Sequence, residues 1–215
     1  MKKFSKTAAL ILAAALTAAP LTASAQTAAS KTTAAKADPA VVDAYIKSTF
    51  GKASPEWQAR IQADETLKTC NQFHNDVPSA EADKIVKREL ARVVYPADGK
   101  FLGDWKAGKK IADNGRGGQF SDDEQTVSGG NCYACHQMER SEVSFGTLGP
   151  SLTSYGKDRK FDAAEAKQAF TKIYDSQAVL ACSNMPRFGA NHFLTEQQIK
   201  DVVAFLFDPE SPVNK

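Results

Sequence analysis

The chemistry of this 215-residue chain concentrates at Cys132-Tyr133-Ala134-Cys135-His136. The pattern C-x-x-C-H is the attachment site for c-type haem. Each thiol adds to one haem vinyl group to form a thioether, and the adjacent imidazole lies under the porphyrin, where a ring nitrogen ligates the iron. Two residues between the cysteines let one helical turn span the two vinyl carbons. Two other uses of such a pair fit less well. A thioredoxin-like dithiol sits at a strand-to-helix junction, and no strand pattern precedes Asn131. A zinc half-site needs a second Cys/His pair at ligand spacing, and the chain has none. The motif therefore predicts one haem c, anchored by Cys132 and Cys135, with His136 as an axial iron ligand.

Haem iron has a second axial position. Met138 is two residues from His136 and lies on the same side of the ring, so it cannot reach across. Met185 opens Met185-Pro186-Arg187-Phe188-Gly189 about 50 residues downstream. Pro186 fixes the local φ and stiffens the loop that presents the sulfur. Met185 is the expected second ligand, with His192 or an open position as alternatives; His74 reads as an ordinary histidine. Met/His ligation raises the reduction potential and suits electron transfer. Gly146-Thr147-Leu148-Gly149-Pro150 follows the haem motif. A carbonyl at Pro150 is expected to accept a hydrogen bond from the other ring nitrogen of His136 and fix its orientation; a plain turn is the alternative. The remaining cysteines, Cys70 and Cys182, are an even pair and are expected to bridge in an oxidising compartment. Two independent thiols are the other possibility.

These residues need elements to position them. Gly103–Asn114 reads as a helix with Asp104 at its N-cap and Trp105, Gly108, Ile111 and Ala112 on one face. Asp162–Tyr174 is a second helix, with Asp162 and Glu165 at capping-box spacing. Thr195 and Gln198 form another capping box before Ile199, Val202, Val203 and Leu206, and Asp208-Pro209 stops that last helix. Gly108 lacks a side chain, so the first and last of these helices are expected to cross there, against Phe205. Upstream, 39–50, 54–70 and 80–94 look helical, with Trp57, Ile61 and Leu67 facing inward. The polar loop 117–130 reads as a partner surface or a tolerated insertion.

The N-terminus changes the charge arithmetic. Lys2, Lys3 and Lys6 precede an apolar run, and Ala23-Ser24-Ala25 is a small-residue cleavage pattern, so 1–25 reads as a signal peptide cut after Ala25. The apolar run is too short to span a bilayer, so no membrane anchor is expected. Residues 1–25 hold three of the 27 Lys and Arg and none of the 25 Asp and Glu, so the formal charge falls from +2 to −1 after cleavage. A nucleic-acid partner that needs a basic field is disfavoured. The expected location is the periplasm. Residues 26–37 read as a flexible leader, 38–100 as an N-terminal helical extension, 101–208 as the haem domain and 209–215 as a C-terminal tail.

The order helix, C-x-x-C-H, G-x-x-G-P, methionine loop, C-terminal helix over roughly 101–208 resembles class I cytochrome c. Gly149-Pro150-Ser151-Leu152, the Met185–Gly189 loop and Leu194-Thr195-Glu196-Gln197-Gln198-Ile199 running into Asp201–Leu206 resemble the SoxX family more narrowly, as does the closing segment 208–215. SoxX is the monohaem subunit of the SoxAX complex. The resemblance implies an all-α fold, a class I cytochrome c-like domain behind an N-terminal helical extension. It implies a SoxA partner whose haem supplies electrons, a SoxYZ carrier whose cysteine receives thiosulfate, and a soluble cytochrome c as acceptor. The complex acts as an L-cysteine S-thiosulfotransferase, and the resemblance places no catalytic residue in this chain. The alternative is a free-standing periplasmic monohaem electron carrier serving another oxidoreductase.

Overall fold

The computed structural model describes residues 38–119, 122–123 and 125–215. The expected signal peptide and leader, 1–37, lie outside the described residues, as do three positions of the 117–130 loop. Among the described residues every regular element is a helix or a 3-10 turn. No described helix is long and apolar enough to cross a membrane. Residues 38–53 belong to one compact unit and 54–215 to another. The first holds α1, Pro39–Phe50, which starts on Pro39 with the Asp38 carboxylate accepting from the Ala40 N–H.

In the second unit the sequence expectation of a single helix over 54–70 resolves into α2, Pro55–Ile61, and α3, Glu65–Gln72. Asp64 makes the break. Its carboxylate accepts from the Leu67 N–H at 2.8 Å and N-caps α3, a local bond that competes with helix continuation. Leu67, expected inside, is exposed, and α3 instead buries Thr66 and Cys70, one turn apart. The cause is polar: Thr66 hydrogen-bonds the buried Glu89 carboxylate on α4, Ser79–Leu90.

The haem-motif region is built on α5, Trp105–Asp113, α7, Ala163–Tyr174, and α8, Glu196–Phe207, with a one-turn α6, Tyr155–Asp158. The expected caps are in place. Asp104 accepts from Lys106, Asp162 from Ala164 and Glu165, and Thr195 and Gln198 form a reciprocal capping box. Phe170, Phe205, Ile199, Val203 and Met138 are among the largest fully buried apolar side chains of the main core. The C-terminal segment is pinned into the fold: Asn214 accepts from the Gly156 N–H at 3.0 Å and donates to Leu206 and Asp208 carbonyls. The α5–α8 crossing occurs at Gly108, as expected, but its partner is the Asp201 and Val202 backbone rather than Phe205.

Cys70 and Cys182 are joined by a disulfide across 112 positions. It carries a small second core of Cys70, Ile85 and Cys182, flanked by Val77 and Ala181. Cys182 stands at φ 56°, the left-handed region, which costs an L-residue about 1–2 kcal/mol. The bridge holds it there. Closing so long a loop is worth about 5 kcal/mol in the chain-entropy model. Cys182→Ser is therefore expected to lose about 3–5 kcal/mol of unfolding free energy, read as a lower denaturant midpoint. A midpoint equal to that of the oxidised wild type would show that the bridge carries no stability.

Candidate haem site

The haem motif sits on a 3-10 turn, Cys132–Ala134, entered through Asn131 at φ 46°. Its entry is tied to α5 and the residue that caps it: Gly130 N–H donates to the Ile111 carbonyl at 2.8 Å and Asn131 N–H to the Asn114 carbonyl at 3.0 Å. The turn closes with Cys135 and His136 N–H groups donating to the Cys132 carbonyl. Cys132 and Cys135 are free thiols, both partly buried.

The segment 146–152 runs back along this turn. Gly146 N–H donates to the Tyr133 carbonyl at 2.7 Å, Gly149 N–H to Cys135 at 2.8 Å, and Leu152 N–H to Gln137 at 2.7 Å. The two glycines are required by closeness. A Cβ at Gly146 would lie 1.9 Å from the Ala134 oxygen, and one at Gly149 would lie 2.1 Å from Cε1 of His136. Backbone thus lies directly against the imidazole. His136 Nδ1 is 2.8 Å from the Pro150 carbonyl oxygen. A carbonyl only accepts, so Nδ1 carries the proton and Nε2 is left with its lone pair, the tautomer a metal needs.

The second expected ligand is on the loop between α7 and α8. Met185 is partly buried, and Met185 and Cys132 both pack against the main core. The loop backbone is held at several points. The Ser176 hydroxyl donates to the Met185 carbonyl at 2.5 Å, and the Met185 N–H donates to Ser183 Oγ at 3.3 Å. Gly189 and Ala190 N–H groups donate to the Tyr174 carbonyl, and Gly189 lies flat on the Tyr174 ring, where a Cβ would approach to 2.3 Å. The other candidates differ in burial. Met138 is 1% exposed in the core, and His74 and His192 are exposed at φ 52° and 54°.

Sequence reasoning missed the charged group beneath this loop. Arg187 is buried and donates to Asp64 at 2.7 Å, with Glu89 at 3.5 Å. Burial opposes ionisation of Asp64, but the Leu67 N–H and Arg187 hold its carboxyl below the ordinary value. The only sequence signal was Arg187 itself, a charge inside a turn-rich loop.

These residues fit a covalently attached haem. Two free thiols share one turn with an imidazole whose Nε2 is unencumbered, and the imidazole is oriented by a backbone cradle that a Cβ would fill. Among the described residues no group of three or more His, Cys, Asp or Glu is placed to hold a bare metal ion. No strand precedes the motif among them, which removes the thioredoxin-like setting.

Comparison with known proteins points the same way. Residues 105–208 match the cytochrome c family. An uncharacterized lipoprotein of Aquifex aeolicus (strain VF5) is 32% identical over 177 residues, spanning 79% of this chain and 81% of that protein. The chain belongs to the cytochrome c family. The family carries covalently bound haem c with iron and serves haem-based electron transfer. The fold is accordingly all-α, a class I cytochrome c with N-terminal helices. The matched segment of this cytochrome c begins at α5 and ends one residue past α8, so it encloses the haem motif, the 146–152 cradle and the methionine loop.

Proposed function

We propose that this cytochrome c is a periplasmic monohaem electron-transfer subunit of the SoxX type, working within SoxAX, with His136 and Met185 as its axial ligands. The observation that carries the electron-transfer reading is the His136–Pro150 hydrogen bond, which fixes the tautomer and aims Nε2. Cys132 and Cys135 hold the haem, which when bound supplies a one-electron couple at iron. The chain's own residues do the rest. Pro150 raises the basicity of His136, and Gly149 keeps the ring from turning. Ser176 and Ser183 fix the backbone that presents the Met185 sulfur. A filled sixth position leaves no place for a small substrate, so the subunit relays electrons rather than binding thiosulfate. On this reading a SoxA haem supplies the electrons, a soluble cytochrome c removes them, and thiosulfate ends on a SoxYZ cysteine.

The narrower Sox assignment is supported by the residues 149–152, 185–189 and 194–206. Affinity purification from the native periplasm of thiosulfate-grown cells tests it. The expected result is co-purification of a second, SoxA-type haem subunit in a 1:1 complex. Recovery of the cytochrome alone would favour the free-standing carrier instead.

A further inference from the structure

Beneath the methionine loop lies a pair of acids that haem ligation does not use. Asp175 follows α7 and Glu89 is on α4; both are 0% exposed. Oδ1 of Asp175 accepts from the Gln177 N–H at 3.0 Å, whereas no donor reaches Oδ2 among the described residues, and a protonated Asp175 hydrogen-bonds the Glu89 carboxylate. The two carboxyls are close enough to interact.

The cations around them are already committed. Arg187, from the methionine loop, meets Asp64 at the start of α3 and Glu89. Arg92 lies 3.0 Å from the same Glu89 oxygen and 3.9 Å from the Asp64 oxygen that Arg187 holds. Arg88 is shared among Glu89, Thr66 and Glu65. Lys172 on α7 is pulled down by burial and donates to the Ser176 carbonyl. Asp64 and Glu89 thus balance Arg187 and Arg92, and an ionised Asp175 would add a buried negative charge with no cation of its own. Burial first, against the opposing Gln177 N–H, and then the charge of Glu89 and a hydrogen bond to its carboxylate push the Asp175 carboxyl up to about 6.

Asp175 is also wired to the loop. Its neighbour Ser176 donates its hydroxyl to the Met185 carbonyl, so one peptide unit and one hydrogen bond separate the acid from Met185. We infer that Asp175 takes up a proton from solvent when the haem iron takes up an electron, with Glu89 as the like charge that keeps this acid poised to do so. The inference rests on Met185 being an iron ligand. The balance is one electron from the redox partner into ferric iron and one proton onto Asp175 Oδ2; the return step releases both. Reduction removes one positive charge from the iron, which makes the Asp175 carboxylate less favourable. Linkage is reciprocal, so the factor by which reduction tightens the proton is the factor by which the proton tightens the electron.

The sign is fixed. The potential falls as pH rises through the window around pH 6 and levels off on either side. A coupling of about fivefold, the low end for linked sites, corresponds to a fall of about 40 mV for a one-electron couple. The experiment is a redox titration of the haem-loaded protein from pH 4.5 to 8, with the Met–iron near-infrared band and a redox-difference infrared spectrum recorded on the same samples. The wild type should show the fall, and a protonated-carboxyl infrared band should grow on reduction. Asp175→Asn mimics the protonated acid and keeps an acceptor for Gln177. It should lose both the fall and the infrared band, and hold at all pH the potential the wild type reaches at low pH. Glu89→Gln removes the like charge and should move the inflection to lower pH, a result available even if the Asn variant does not fold. A flat wild-type profile with the Met–iron band present overturns this inference and leaves the ligand reading standing. So does an inflection that survives Asp175→Asn or stays put in Glu89→Gln. A wild type without the Met–iron band overturns the ligand reading and takes this inference with it.

Discussion

Met185→Ala is expected to abolish the Met–iron near-infrared band and to lower the reduction potential by more than about 59 mV, the equivalent of a tenfold change in a one-electron equilibrium. Thioether ligation favours the ferrous state, and its loss leaves a position that water or an added imidazole can take. The variant should still fold. Met185 is only partly buried, and the loop is held by backbone: Ser176 on the residue-185 carbonyl, Tyr174 on Gly189 and Ala190. Truncation therefore removes the sulfur without releasing the chain that carries it. Met138→Leu is the matched control. Met138 is fully buried in the core, and a volume-conserving swap there should cost under about 1.5 kcal/mol with the band intact. An unchanged potential in Met185→Ala, with no Met–iron band in either protein, would move the sixth ligand elsewhere, His192 first.

The loop that carries Met185 is braced from outside the segment that matches the cytochrome c family. Cys182, three residues before the methionine, is bonded to Cys70 on α3. Arg187, two residues after it, is paired with Asp64 at the N-cap of α3 and with Glu89 on α4. These contacts give α3 and α4 a physical role: they tether the loop that carries the proposed ligand. Preorganisation of this kind lowers the rearrangement that accompanies a change of oxidation state.

The sequence exposed local features better than this brace. Asp104, Asp162 and the Thr195–Gln198 box were readable because a cap acts over three residues. The Cys132–His136 motif was readable from its spacing, whereas Pro150 had a plain turn as its alternative until the structure placed its carbonyl 2.8 Å from His136 Nδ1. The Asp64–Glu89–Asp175–Arg187 group was not, since its members lie up to 123 positions apart and each charge alone reads as solvated. Leu67 shows the same limit from the apolar side. Its type argued for burial, but the Thr66 bond to Glu89 and the Cys70 bridge set the rotation of α3 and turned Leu67 outward. Likewise Phe205 is a natural guess for the partner of Gly108, because sequence cannot show that two helix backbones touch directly.

That backbone contact carries a stability effect of its own. Gly108→Ala is expected to destabilise the protein by about 2–3 kcal/mol and to lower Tm by about 5–10 °C. A Cβ at Gly108 would lie 1.9 Å from the Asp201 carbonyl oxygen, 2.4 Å from its carbon and 2.9 Å from the Val202 nitrogen. All three atoms are backbone, so no side-chain rotation makes room, and α5 must move off α8. Alanine's better helix propensity returns only about 1 kcal/mol. The displacement also reaches the haem turn, because Gly130 is bonded to Ile111 on α5 and Gln198 on α8 donates to the Ser128 carbonyl. Gly103→Ala is the internal comparison. Its Cβ would meet Asp201 Oδ1 at 2.1 Å and Gln197 Nε2 at 2.9 Å, side-chain atoms that can shift, with the Asp201 nitrogen at 3.0 Å. It should therefore cost less than Gly108→Ala. Thermal unfolding of the haem-loaded proteins decides the matter: a Gly108→Ala midpoint within about 2 °C of wild type would mean that the helices separate freely at this crossing.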